Sequence, residues 1–334
     1  MKTLVYSIHE FEKPFLVAAA AGRHPLKLLD AALSAQNAAA ATGFEAVAIF
    51  TADDASAPVL DLLHGAGVKF LAIRAAGHDN VDLPHAARLG LKIANVPAYS
   101  PNSVAEHAVA LILALNRKLI TADRQVHAWN FCLDNLVGFD LSGKTVGLIG
   151  TGKIGGTTAR ILHGFGCRLL GYDAVHDSQL EKNFDLEYVD LPELCRQSDI
   201  ISLHTSLNPG TRHLINEALI ARMKQGVMLI NTSRGPVVNT DAVLAGLESG
   251  RIGALGLDVY EFEKGLFFAD QSARSVRDAR LARLLAMPNV LITGHQAFLT
   301  REALRNIAAS TAQNLDCWQK GVASPNELIP AHGG

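Results

Sequence analysis

The chain has 334 residues but only four cysteines, and they are scattered at Cys132, Cys167, Cys195 and Cys317 without a CxxC pair. A zinc or dithiol motif is therefore unsupported, no metal is expected, and the thiols read as free groups in a reducing cytoplasm. Charge of either sign is also sparse. Asp, Glu, Lys and Arg make up 19% of the residues, the net charge is -2 and the isoelectric point is about 6.7. That balance gives no electrostatic reason to expect nucleic acid or an anionic membrane as a partner. Long apolar runs are missing too. Ala108 to Leu115 is only eight residues between His107 and Asn116, whereas a membrane-spanning helix needs roughly 20. The N-terminal stretch carries charge at His9-Glu-Phe-Glu-Lys13, where a signal peptide would have its apolar segment. These absences predict a soluble, cytoplasmic protein.

What is present is a 49% apolar composition with a mean hydropathy of +0.18, long enough for two domains with cores of their own. Short apolar runs alternate with helix-like segments along the first hundred residues. Leu4-Val-Tyr, Ala46 to Phe50, Val68 to Ile73 and Leu91 to Ala94 read as strands, and Pro58 to His64 and Leu83 to Leu89 as helices. Such alternation predicts parallel pairing in a three-layer α/β sandwich. Pro97-Ala-Tyr-Ser-Pro101 breaks the pattern. Ser103-x-x-Glu106 then resembles a capping box opening a long helix to about Leu119, apolar on more than one face.

A second alternating series starts at Thr145, with strands at Val146–Ile149, Arg168–Tyr172, Ile200–His204, Val227–Asn231, Ala254–Val259 and Val290–Thr293. Its first strand runs into Gly150-x-Gly152-x-x-Gly155, and a helix-like segment follows. Gly150 allows a tight turn, Gly152 lets backbone approach a pyrophosphate, and Gly155 lets helix pack on strand. Asp173 closes the next strand 23 residues after Gly150. A carboxylate there accepts hydrogen bonds from both ribose hydroxyls and repels a 2′-phosphate, so the expected cofactor is NAD. Six strands with this turn after the first match a doubly wound nucleotide-binding domain.

Three later strand ends carry groups suited to chemistry. Arg234 follows Val227-Met-Leu-Ile-Asn-Thr-Ser, where a guanidinium clamps a carboxylate through two parallel hydrogen bonds or caps the sheet. Asp258, Glu261 and Glu263 follow the next strand, as site acids or as a solvated acidic turn. His295 follows Val290-Leu-Ile-Thr-Gly. Together with an NAD site, an arginine for an anion and a histidine with a neighbouring acid are the parts of a 2-keto-acid reductase.

These residues resemble the D-2-hydroxyacid dehydrogenase family, most closely its fermentative NAD-dependent branch that forms D-lactate. The likeness runs along nearly the whole chain. It includes Arg74-Ala-Ala-Gly-His-Asp-Asn-Val-Asp82, Val96-Pro-Ala-Tyr-Ser-Pro-Asn102, Ala105-Glu-His107, Asn231-Thr-Ser-Arg-Gly235, Leu257-Asp-Val-Tyr-Glu261, Gly265-Leu-Phe-Phe-Ala-Asp270 and Thr293-Gly-His-Gln-Ala-Phe-Leu-Thr300. The resemblance implies an α/β fold of two doubly wound parallel-sheet domains. A Rossmann NAD domain, residues 101–297, would be inserted into a flavodoxin-like substrate domain formed by residues 1–100 and 298–334. It implies reversible reduction of pyruvate to D-lactate, with Arg234, Glu263 and His295 as the catalytic residues and His295 as proton donor.

By the same resemblance, Ala76, Gly77, Tyr99, Phe298 and Phe50 bind the substrate. Gly150, Gly152, Lys153, Ile154, Gly155, Asp173 and Asp258 bind the cofactor. A homo-oligomer, dimer or tetramer, is expected. Two positions depart from the family pattern: Ser206 stands where a proline is usual, and His78 where an aromatic is common. Two other readings stay open at this point. One keeps the mechanism with a larger 2-keto acid; the other is an NAD(H)-sensing, corepressor-like binding protein.

Overall fold

The structure is a computed structural model that describes residues 1–273 and 278–328. The chain forms two compact units, Met1–Ser100 with Leu299–Gly334, and Pro101–Phe298.

The first unit holds five parallel strands: β1 (Thr3–Val5), β2 (Leu26–Leu28), β3 (Ala46–Ile49), β4 (Phe70–Ile73) and β5 (Lys92–Ala94). Their spatial order is β2-β1-β3-β4-β5, the flavodoxin-like arrangement. Side chains alternate between the two faces of the sheet, and residue size decides what packs on each. Leu4, Val47, Ile49, Leu71 and Ile73 meet Val59, Leu60, Leu63 and Ala86 from helices Ala57–Gly65 and Leu83–Arg88. On the other face Ala46, Ala48, Ala72 and Ala94 are small, which lets helices come close. There Leu16 of Lys13–Ala20 packs beside Ala308, Leu315 and Trp318 of helix Arg301–Gln319. The last long helix of the chain thus returns to the first sheet.

The second unit holds seven parallel strands: β6 (Thr145–Ile149), β7 (Arg168–Tyr172), β8 (Glu187–Tyr188), β9 (Ile200–Leu203), β10 (Val227–Asn231), β11 (Ile252–Leu257) and β12 (Val290–Ile292). The order is β12-β11-β10-β9-β6-β7-β8, so strand order reverses beside β6, as in a Rossmann domain. β8 was not anticipated: it has two residues on the sheet edge, too few to show a pattern.

Helix Pro101–Asn116 begins two residues before Ser103, which is buried in its first turn and does not cap it. Proline suits that first position because its missing N–H would be unpaired there anyway. The helix stops at Asn116, short of Leu119. The Asn116 side chain bonds both the N–H and the carbonyl of Phe139, and Lys118 turns the chain with φ +50°. Among the described residues, no helix is long and apolar enough to cross a membrane. No group of three or more His, Cys, Asp or Glu among them could hold a metal ion.

Candidate active site

The glycine turn leaves β6 at Gly150, whose φ of +92° suits glycine. A Cβ on Gly150 would lie 2.6 Å from the His204 carbonyl oxygen, and one on Gly155 would lie 2.0 Å from the Gly150 carbonyl oxygen. Gly150 is therefore demanded by the close approach of the backbone after β9, and Gly155 by packing of the helix on the turn. Gly152 differs, because nothing lies within 4 Å of the place its Cβ would occupy. It caps helix Lys153–Gly164 without a side-chain hydrogen bond. The first N–H groups of the helix and its positive dipole end thus meet open space, as a phosphate site requires. Lys153 and Ile154 are the first two residues of that helix.

Asp173 follows β7. Its Oδ2 accepts the Thr151 N–H at 2.7 Å and its Oδ1 the Val175 N–H at 3.2 Å. The Thr151 hydroxyl in turn lies 2.8 Å from the Tyr188 hydroxyl. Burial pushes the Asp173 carboxyl upward, but these N–H groups and the Thr151 hydroxyl outweigh it and hold it below the usual carboxylate range. The turn thus carries a fixed anion, favourable to ribose hydroxyls and hostile to a phosphate. Two buried polar atoms, His204 Nδ1 and Thr232 Oγ1, have no hydrogen-bond partner. His204 follows β9, which borders the reversal of order, and Thr232 follows its neighbour β10. Burial pushes His204 down to about 4, so its imidazole is neutral, with Nε2 held 2.9 Å from Ser202 Oγ. Buried polar atoms are rarely left unpaired. A polar ligand at this sheet edge would complete both, and with the open helix end and Asp173 the residues fit NAD.

On the same edge, Asp258 follows β11 and is buried. It accepts hydrogen bonds from Thr293 Oγ1 at 2.5 Å and from the Gln296 and Ala297 N–H groups at 2.9 Å each. His107 Nε2 lies 3.4 Å away. Burial would raise the Asp258 carboxyl, but the bonds from His107, Thr293, Ala297 and Gln296 win and lower it. This carboxylate therefore ties the end of β11 to the loop after β12. His295 sits in that loop with φ +58°, and its N–H donates to the Asp258 carbonyl at 2.7 Å. Its Nδ1 lies 2.8 Å from Glu263 Oε1. The other Glu263 oxygen accepts the Tyr260 N–H at 2.9 Å, so the acid is steadied by its own turn. With Nδ1–H directed at a carboxylate, Nε2 is the atom left to exchange a proton with a substrate.

Arg234 follows β10. Asn231 braces its loop by accepting from the Ser233 N–H and hydroxyl and by donating to the Arg234 carbonyl at 2.9 Å. Gly235 lies so close to Tyr260 that a Cβ would come 2.2 Å from that residue's carbonyl oxygen. The arginine loop is thereby pressed against the segment that carries Glu263.

In the first unit, Phe50, Ala76 and Tyr99 follow β3, β4 and β5, at the C-terminal edge of the sheet where open α/β sheets bind ligands. The Phe50 N–H donates to buried Asp53 at 2.6 Å, and the Ala76 carbonyl accepts from Asn95 Nδ2 at 2.7 Å. Gly77 is half-buried in the same loop as Ala76, while the Tyr99 carbonyl accepts from Asn306 Nδ2 at 2.6 Å. Phe298 is buried at the end of the second unit.

Residues 109–297, more than half of the chain, match the family model described as D-isomer specific 2-hydroxyacid dehydrogenase, NAD binding domain. The chain belongs to this family. It is 48% identical over 331 residues to a D-lactate dehydrogenase of Escherichia coli (strain K12), covering 98% of this chain and 100% of that one. Its structure is similar to the apo-structure of D-lactate dehydrogenase from Escherichia coli, with a TM-score of 0.88, 46% identity, and coverage of 98% and 100%. It is also similar to a D-lactate dehydrogenase from Aquifex aeolicus complexed with NAD and lactic acid. There the TM-score is 0.87, with 33% identity and 96% of each chain covered.

As a 2-hydroxyacid dehydrogenase the chain keeps its loop order despite Ser206. The Ser206 carbonyl accepts from Thr211 Oγ1 at 2.6 Å, and Asn208 Oδ1 accepts the Gly210 N–H at 2.8 Å. Local bonds thus supply stiffness that a proline would supply through its ring. His78, the other departure, turns its Nδ1 to within 3.4 Å of the Ala76 carbonyl.

Some participants were missed. Arg74 is fully buried and donates to both oxygens of Glu12, at 3.0 and 2.9 Å, and to the carbonyls of Tyr6, Ser7 and Ala48. It braces the strand ends below Phe50 and Ala76. A charged residue directly after the apolar run Phe70–Ile73 was the available signal. His107 gave none beyond its place in a family motif, since its partners Thr293 and Asp258 lie far along the chain.

Proposed function

We propose that this dehydrogenase is an NAD-dependent D-lactate dehydrogenase that catalyses pyruvate + NADH + H⁺ to D-lactate + NAD⁺. The observation that carries the reading is the His295–Glu263 pair, 2.8 Å apart on the sheet edge that also bears Arg234 and the glycine turn. Bound NADH supplies the hydride that reaches C2 of the keto acid. Arg234 clamps the substrate carboxylate with its planar fork and polarises the carbonyl. His295 gives the proton on Nε2 to the ketone oxygen and later regains one from solvent. Glu263 holds the imidazole ring in line through Nδ1.

Ala76 and Gly77 are assigned to the substrate carboxylate through their backbone N–H groups. Tyr99, Phe298 and Phe50 are assigned to the small apolar surround of the methyl group, which favours pyruvate over bulkier keto acids. Gly150, Gly152, Gly155, Lys153 and Ile154 take the cofactor phosphates, Asp173 its ribose, and Asp258 the neighbourhood of the nicotinamide. The protein is assigned to the cytoplasm on its scattered free thiols.

A homo-oligomer is favoured by the exposed apolar side chains after helix Pro101–Asn116. Trp129, Leu133 and Val137 are 85%, 72% and 75% exposed. Val137 also lines a cavity of about 1060 Å³ that reaches Gly226 and Gly253, at the end of the sheet opposite His295. Apolar exposure on this scale is the mark of a contact surface.

The test is NADH oxidation with a panel of 2-keto acids of increasing size, with NADPH as control. The expected outcome is fastest turnover with pyruvate and NADH. Preference for a longer keto acid would reassign the substrate, and no turnover with any of them would overturn the enzymatic reading.

A further inference from the structure

His295 of the catalytic pair and its neighbour Phe268 hold backbone conformations that side chains rarely adopt, at φ +58° and φ +64°. For a bulky residue such as phenylalanine a positive φ is a genuine outlier, and such strain persists only where the surroundings enforce it. The enforcement is visible on both sides of Phe268. Before it, the N–H groups of Leu266 and Phe267 donate to the Glu263 carbonyl at 2.9 and 3.0 Å, closing one turn that begins at Glu263 itself. Leu266 and Phe267 both pack on the main core of the second unit, and Phe267 stacks near Tyr260 with centroids 6.5 Å apart. After it, Gln271 Nε2 bonds the carbonyls of Gly265 and Leu266 at 3.2 and 3.1 Å.

Held this way, the chain reverses at Phe268 and lays its ring beside the His295 imidazole. The centroids are 5.3 Å apart and the planes tilted by 42°. One short segment therefore carries both constraints on the histidine. Glu263 fixes the ring in its plane through Nδ1, and Phe268 limits its rotation out of that plane.

We propose that Phe268 is a positioning residue for proton transfer, a wall that keeps the His295 imidazole in the Glu263 line and excludes water from that face. This rests on the assignment of His295 as proton donor. A wall of this kind contributes through geometry, and displacement of a reacting group by about 1 Å can cost about 10²-fold in rate. It acts on turnover more than on substrate affinity, because the ring touches the histidine and is assigned no contact with the substrate carboxylate.

The test compares F268L and F268Y with the wild-type protein in steady-state kinetics and in NMR spectra of His295, assigned with H295N. Leucine keeps apolar bulk without a ring, while tyrosine restores the ring. The expected result for F268L is a kcat lower by about 10- to 100-fold, with KM for pyruvate changed less than kcat. Its His295 ring-proton resonances should move as the aromatic ring current is lost. F268Y should recover most of the turnover and the wild-type resonances. An unchanged kcat in F268L, or unchanged His295 resonances in F268L, would overturn the proposal. If the wild-type protein turned over no 2-keto acid, the assigned reaction would fall separately, and the resonances would still decide whether Phe268 holds the ring.

Discussion

Glu263 accepts from His295 Nδ1 at 2.8 Å with one oxygen and from the Tyr260 N–H at 2.9 Å with the other. Both carboxylate oxygens face donors, and that relationship makes Glu263→Gln informative. An amide has one acceptor oxygen, so it must turn its NH₂ either to Tyr260 or to the imidazole. Facing the imidazole, it selects the tautomer without a proton on Nδ1 and no longer accepts from the ring. The expected loss in kcat/KM is on the order of 10²-fold, of the size that a displaced general acid produces. Steady-state kinetics of pyruvate reduction check this, and a wild-type kcat/KM would remove Glu263 from its assigned role.

Arg234→Lys tests recognition of the substrate carboxylate. Lysine keeps the positive charge but loses the planar pair of donors, so the point charge cannot make two parallel bonds. The apparent KM for pyruvate should rise by roughly tenfold or more, equivalent to about 1.4 kcal/mol, with much less change in the KM for NADH. A normal pyruvate KM would argue that the guanidinium serves the sheet end instead.

Asp173 is expected to set the choice between the two nicotinamide cofactors. Asp173→Asn removes the charge while its amide oxygen can still accept the Thr151 N–H seen at 2.7 Å. The ratio of kcat/KM for NADH over NADPH should therefore fall, by about tenfold if a single charge repulsion of about 1.4 kcal/mol is relieved. Parallel assays with the two cofactors measure it; an unchanged ratio would mean that the carboxylate does not face the 2′ position.

Asp258 links stability to pH. Its folded-state carboxyl lies below the ordinary value, because bonds from His107, Thr293, Ala297 and Gln296 outweigh the effect of burial. A depressed acid stabilises the fold at pH above the unfolded carboxylate range, and that contribution is lost as pH falls through the folded value. Asp258→Asn places an NH₂ among donors and should cost about 1–3 kcal/mol at neutral pH. The difference in urea midpoint between variant and wild type should narrow as the pH falls below the unfolded carboxylate range. A constant gap would show that the carboxylate's charge is not the source.

The legible parts of the fold share a short range. Ala46–Ile49 and Val227–Asn231 are strands buried on both faces, so they stand out as continuous apolar runs. β2 carries Lys27 between two leucines in only three residues, and β8 is shorter still, so neither shows a period. The Ser103-x-x-Glu106 pattern was misleading because Pro101 starts the helix two residues earlier.

By itself the sequence determined the glycine turn, the acid at Asp173 and the candidate strand ends at Arg234, Asp258 and His295. Each of these depends on neighbours within a few residues or on one strand–turn–helix unit. Spacing alone left open which acid meets the histidine, since Glu261 and Glu263 stand two residues apart in one turn, and the choice of Glu263 came only from the family resemblance. Glu261 turns away to His213 at 2.6 Å and to the Thr240 N–H, while Glu263 reaches His295 across 32 positions. Only tertiary structure decided the buried Arg74–Glu12 pair, 62 positions apart, and the ring of Phe268 beside the imidazole. The physical reason lies in parallel sheets. Their strands pair with partners distant in the chain, and the loops at their C-terminal ends meet only after the core has set that order.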